Sequence, residues 1–166
     1  MKNDVQVSDG KKAELRFKAM CEVVGIKAID ATDDENINKH IDYHLYSQHD
    51  GYLTVDVKCM KKISREDPEP QDKFVWVEFM NVRGKPGWLY GEAQFIAFET
   101  KDGFAVVDRE KLVLHCNQHV NREINAYKPQ DALNAVYRRN GRRDSMTLLE
   151  LALIPHEKII EGEFNQ

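Results

Sequence analysis

HIDYHLYS (residues 40–47) and YLTVDVKCM (residues 52–60) alternate apolar and polar positions, and FVWVEFM (residues 74–80) repeats the alternation after a charged connection. A period of two is the signature of a strand half-buried on one face. In the first run Ile41, Tyr43 and Leu45 share one face, and His40, Asp42, His44 and Tyr46 the other. In the second, Leu53, Val55 and Val57 oppose Thr54, Asp56, Lys58 and Met60. In the third, Val75, Val77 and Phe79 oppose Phe74, Trp76, Glu78 and Met80. Gly51, after SQHD, marks a turn that folds the first two runs into a hairpin. Asp56 and Lys58 then project the same way, about 6 to 7 Å apart along the strand. The hairpin brings Asp42 to the same region, although a slip of one residue would turn it to the opposite face. Charges in such apolar runs need a partner, water or a metal, because burying an unpaired charge is costly.

Outward from this stretch, residues 8–25 read as a helix: Ser8 or Asp9 caps it, Gly25 stops it, and Ala13, Phe17, Met20 and Val24 form its apolar stripe. Glu14 borders that stripe. DATDDENINK (residues 30–39) reads as a polar loop, and KKISREDPEPQDK (residues 61–73) as a long charged connection. RGKPGWLYG (residues 83–91) is a turn-rich link. AQFIAFET and FAVVDR, joined at KDG, form two more strands that extend the sheet. Residues 110–120 and 131–139 read as short helices, with Leu133, Val136 and Tyr137 marking the apolar side of the second. SMTLLELALI (residues 145–154) packs on the body as a strand or short helix, and HEKIIEGEFNQ (residues 156–166) is a frayed end. The expectation is one α/β domain over residues 1–166, a central mixed β-sheet flanked by helices, with 121–166 a C-terminal extension packed on the core.

The composition, 42% hydrophobic and 31% charged, is that of a globular protein rather than a disordered chain. No run approaches the roughly 18 apolar residues of a bilayer span, and MKNDVQVSDGKK lacks the apolar core of a secretion signal. The expected partners therefore exclude a membrane, and the expected location is cytoplasmic. Cys21, Cys59 and Cys116 have no CxxC spacing, which argues against a structural zinc and a disulfide framework. HCNQH (residues 115–119) lacks the glutamate of HExxH.

A net charge of −4 neither demands nor excludes nucleic acid, because the display of positive charge matters more than its sum. Arg138, Arg139, Arg142 and Arg143 fall within six residues, and Lys58, Lys61, Lys62 and Arg65 form a second basic run. Guanidinium groups spread on the Asn140-Gly141 turn suit a phosphate backbone, the alternative being a solvated turn. Trp76, Trp88 and Tyr90 read first as core or loop anchors and second as base-stacking platforms.

Carboxylates and a lysine at the ends of adjacent strands are the components of a magnesium-dependent phosphodiesterase. Aspartate oxygens hold a hard divalent ion, which lowers the pKa of the attacking water and offsets charge on phosphate. A lysine orients the water or stabilises the transition state. Taken alone, DxK is weak, since aspartate and lysine alternate on many solvated strands.

Glu14 in the first helix, Asp42 in IDYHL, and Asp56 with Lys58 in VDVK together resemble the site of the PD-(D/E)XK nucleases, the restriction-endonuclease-like fold shared with archaeal Holliday-junction resolvases. The resemblance covers roughly residues 9–108. It implies a core of helix, three or four strands, helix and strand. It further implies Asp42 and Asp56 as Mg2+ ligands, Lys58 as the catalytic lysine, Glu14 as an accessory acid reaching the metal directly or through water, and the Val57 carbonyl as a further ligand, with Mn2+ able to substitute. Glu78 is a candidate extra ligand of this chain, the alternative being solvent exposure at a strand edge. Two departures are tolerated in the family: no proline precedes Asp42, and an aspartate opens the DxK element. A third is more awkward, because residues 81–91 look too short and glycine-rich for the helix that often follows the third strand. The activity implied is Mg2+-dependent endonuclease cleavage of DNA, on branched or damaged duplex, in recombination or repair, with a homodimer as one way to address two strands. Lys61, Lys62 and the four arginines would hold the DNA backbone. The competing expectations are a non-catalytic nucleic-acid-binding or structural protein on the same fold, and an RNA nuclease.

Overall fold

The computed structural model describes residues 7–49 and 51–162. Helix α1 (Asp9–Val23) begins where the Ser8 side chain accepts from the Lys11 N–H, and it ends at Gly25, whose φ of +76° the absence of a side chain permits. Strand β1 (Lys27–Asp30) and helix α2 (Asp33–Lys39) follow, then β2 (Tyr43–Ser47) and β3 (Gly51–Lys58). The segment expected to be a polar loop is therefore a strand end and a helix. Thr32 and Glu35 form a reciprocal capping box at the start of α2.

β2 and β3 make the expected hairpin, with Tyr43 opposite Val55 and Tyr46 opposite Tyr52. Residues β5 (Phe95–Glu99) and β6 (Gly103–Asp108) pair through the KDG turn and extend this sheet, β5 running parallel to β3. The six-stranded order is β1-β2-β3-β5-β6-β10, where β10 is Glu157–Ile160. Part of the expected frayed end is thus an edge strand; residues 163–166 lie outside the described residues, as do residues 1–6 of the N-terminal segment.

β4 (Phe74–Met80) departs from expectation. It does not join β2 and β3 but heads a second sheet, in the order β4-β9-β8-β7, with β7 at Asn121–Ala126, β8 at Ala135–Arg138 and β9 at Ser145–Glu150. A parallel β3–β5 pair needs a crossover, and β4 with the short 3-10 turn Trp88–Tyr90 provides it in place of a helix. The expected helix over 131–139 is instead a 3-10 turn, Pro129–Asp131, and strand β8, separated at Asn134 by a φ of +54°. The expected helix after 110 is present as α3 (Arg109–His119). Residues 121–160, expected as an extension packed on the core, supply three strands of the second sheet and the edge of the first. The architecture is mixed α/β, with two β-sheets flanked by helices.

Two apolar layers hold this together. Ala13, Phe17, Met20 and Cys21 of α1 pack on Tyr43, Leu45, Val55 and Val57 of the first sheet, where Phe17 meets Phe104 edge to face at 5.2 Å. The opposite face of that sheet carries Ile96, Phe98, Ala105 and Val107, which meet Val75, Val77, Phe79 and Leu149 of the second sheet, with Leu112 and Cys116 of α3. Asp56 and Lys58 point into this second layer, because they alternate with Val55 and Val57.

One glycine fixes how the crossover meets the site. Gly87 donates its N–H to the Phe79 carbonyl at 2.8 Å, and a Cβ there would lie 2.4 Å from the Glu78 carbonyl oxygen. Gly87→Ala is expected to cost about 2 kcal/mol or more by forced separation of the two segments, read as a lowered urea midpoint with unchanged slope.

Candidate active site

β3 ends at Lys58, and the chain leaves the first sheet there. Asp56 is 3% exposed, and its Oδ1 accepts from Lys58 Nζ at 2.9 Å. Its Oδ2 is buried without a hydrogen-bond partner. Asp42 sits immediately before β2; its own N–H donates to the Val55 carbonyl, which locks it level with Asp56. The Asp42 carboxylate reaches across to β3: Oδ2 accepts from the Val57 N–H at 2.7 Å, and Oδ1 from Asn36 Nδ2 of α2 at 2.6 Å. Glu14 of α1 lines the same cleft as Asp42.

Glu14, Asn36, His40, Asp42, Asp56 and Lys58 therefore line one open cleft of about 240 Å³. Val57 also lines it. All four residues singled out as catalytic are thus brought together. Asn36 was missed because it belongs to α2, which buries no apolar residue and so leaves no periodic signal; the Thr32–Glu35 spacing was the available sign. His40, read as the start of the first strand, is instead the residue that ends α2, with a φ of +54°.

Trp88 was also missed as a partner of the site. Lys58 Nζ lies 5.0 Å from its ring centroid, a cation–π contact that holds the ammonium away from bulk water. Glu78 lies on the second sheet and does not line the carboxylate cleft. It flanks Lys58 from the other side, in a separate cavity of about 130 Å³, where its Oε1 accepts from the Trp88 N–H at 3.3 Å.

Burial crowds these acids. Asp56 is pushed up to about 7, first by burial and then by Asp42, against the opposing pull of Lys58. Glu14 is raised to about 7 by burial and by Asp42. His40 is lowered by burial and by the Lys58 charge. Glu78 is raised by burial.

A stability consequence follows from Asp56. Its folded-state pKa lies above the ordinary 3.8, so its contribution is fully favourable below that value and is lost as pH rises towards about 7. In EDTA, Asp56→Asn is expected to raise stability at pH 8 on the order of 1 kcal/mol, with little gain at pH 4. Thermal melts at the two pH values measure this, and equal shifts would contradict it.

The basic residues separate. Lys61 and Lys62 are exposed beside the mouth of the Lys58 cavity, and Lys61 lines it. Arg138, Arg142 and Arg143 are exposed on the β8–β9 turn. Arg139 is turned inward and pairs through both Nε and Nη2 with the buried Asp144. The three cysteines are free, Cys21 and Cys116 being buried. His115 and His119 lie side by side on α3, with ring centroids 4.4 Å apart and the rings tilted by 40°. No group of three or more His, Cys, Asp or Glu side chains is placed to hold a metal ion among the described residues. No helix among them is long and apolar enough to cross a membrane. Comparison with protein-family models, with curated proteins and with solved structures gives no match.

Proposed function

We infer that the chain is a metal-dependent phosphodiester hydrolase acting on nucleic acid, an endonuclease of DNA on a restriction-endonuclease-like core. The observation that carries this reading is the convergence of Glu14 of α1, Asp42 just before β2, and Asp56 and Lys58 of β3 on a single cleft. A solvated strand face would leave such residues exposed, whereas Asp56 is buried with one oxygen unpaired.

The donor set fits Mg2+. This ion takes oxygen ligands, keeps several waters and is commonly bound by only one or two carboxylates together with substrate phosphate, rather than by an all-protein cage. A ring of three carboxylates is therefore not required. Asp56 Oδ2 offers a buried acceptor, Asp42 stands level with it, and the Val57 backbone lines the same cleft. Bound Mg2+ would supply a water of lowered pKa and Lewis-acid polarisation of the phosphate. Mn2+ satisfies the same donors.

The protein's own groups do the rest. Lys58, held by Asp56 and backed by the Trp88 ring, presents an ammonium to the cleft that offsets charge developing on the phosphate oxygens. Asn36 orients Asp42. Glu14, with its raised affinity for a proton, is the group suited to take one from the attacking water or pass one to the leaving oxygen near neutral pH. Lys61, Lys62, Arg138, Arg142 and Arg143 are exposed and can meet backbone phosphates, Arg138 while its Nε donates to Asn125 Oδ1.

The test is cleavage of linear, flapped and four-way DNA and of RNA, in Mg2+, Mn2+ and EDTA. Cleavage of DNA in either metal and none in EDTA supports the reading. Preference for RNA would replace the substrate, and binding without cleavage in either metal would leave a nucleic-acid-binding protein instead.

A further inference from the structure

We propose that a groove on the outer face of the second sheet holds an unpaired nucleic-acid segment next to the cleaved bond, with its bases stacked on Trp76 and Tyr137. This rests on the nuclease reading for its direction, though not for its binding.

The groove encloses about 570 Å³, room for more than one base, and is floored by Trp76 of β4 and Tyr137 of β8. Their ring centroids lie 5.4 Å apart, tilted by 39°, so the two half-buried rings make one aromatic floor rather than a closed stack. The Trp76 indole N–H donates to the Lys62 carbonyl at 3.1 Å, which fixes the ring on the sheet. Neither ring belongs to the two apolar layers of the fold. Their packing role is therefore local.

Shared lining residues place this floor beside the candidate active site. Lys58 lines both the carboxylate cleft and the small cavity beside Trp88 and Glu78. That cavity shares Lys61, Trp76, Glu78 and Met146 with the groove. A strand whose phosphate lay at Lys58 would pass Lys61 to reach the aromatic floor.

The charge around the groove selects for bases over phosphates. Arg139 is taken by Asp144, and the lining holds Lys61 and Arg65 together with Glu66 and Glu78. So nearly balanced a surface gives a duplex, which offers mainly phosphates, little to hold. Base–aromatic stacking needs a free base face, which only unpaired nucleotides present; it contributes about 1–3 kcal/mol per base. The substrate class this favours is a flap, gap or single-stranded tail.

The experiment is anisotropy with a labelled thymidine oligonucleotide in EDTA, beside an abasic strand and a duplex of equal length. Trp76→Leu and Tyr137→Leu, which keep apolar volume but lack a ring, are each expected to weaken thymidine-strand binding about 10-fold, within the range of one lost stack. Trp76→Phe retains most of it, and duplex and abasic affinities change less than about twofold. Circular dichroism and thermal melts establish that each variant is folded. Unchanged thymidine-strand binding in both Leu variants overturns the proposal, as do equal losses on all three ligands. Cleavage plays no part in this readout. A protein that binds through Trp76 without cutting keeps the groove and loses the nuclease reading; one that cuts, with thymidine binding indifferent to both rings, does the reverse.

Discussion

Asp56→Ala and Lys58→Ala are each expected to lower Mg2+-dependent cleavage by at least about 10³-fold, the scale lost when a group acting only in the transition state is removed. Asp56 contributes twice: it offers the unpaired Oδ2 and it holds Lys58 through Oδ1. Its removal should therefore cost no less than the lysine alone, and the double variant little more than either, because the two act as a unit. Lys58→Arg should not restore activity, since a delocalised guanidinium, even if held by Asp56 and Trp88, does not present the compact point charge of the ammonium to the cleft. Far-UV circular dichroism separates chemistry from folding. In EDTA, Asp56→Ala should melt no earlier than the parent, because it relieves the crowding that raises the Asp56 pKa. Cleavage within about tenfold of the parent in a folded Asp56→Ala protein would end the assignment of this cleft as the catalytic site.

The site was legible in the sequence because strand alternation is independent of which strand lies next door. Asp56 and Lys58 share a face whatever the sheet order. Asp42 depended on register, and the turn before Gly51, whose φ is +73°, sets that register so that Tyr43 faces Val55. The same independence explains the error at β4. Its alternation correctly separated Val75, Val77 and Phe79 from Trp76 and Glu78, yet it could not tell that the partner is β9, some seventy residues on, rather than β3. β8 failed for another reason. Four residues are too few to display a period, and Leu133, Val136 and Tyr137 mimic helical spacing across a turn. The aromatic floor of the second sheet depends on both of these strands, so it could not be foreseen from either alone.

The second large effect concerns the arginine cluster, whose members look equivalent in sequence and are not. Arg139→Ala is expected to destabilise the fold by about 3–5 kcal/mol, the usual cost of leaving a buried charge without its partner. Asp144 is 2% exposed, its Oδ2 accepts from two nitrogens of Arg139, and its Oδ1 has no hydrogen-bond partner. Arg138→Ala, Arg142→Ala and Arg143→Ala, on exposed side chains, should each change stability by less than about 0.5 kcal/mol. They should instead reduce the salt slope of DNA binding, by about one per phosphate contact removed. Urea unfolding and salt-dependent anisotropy read the two effects separately. Arg139→Met combined with Asp144→Leu should recover most of the lost stability, since an apolar pair of similar volume removes the orphaned charge. If Arg139→Ala kept full stability while losing DNA affinity, its pairing with Asp144 would be incidental and its place would be with the phosphate-facing arginines.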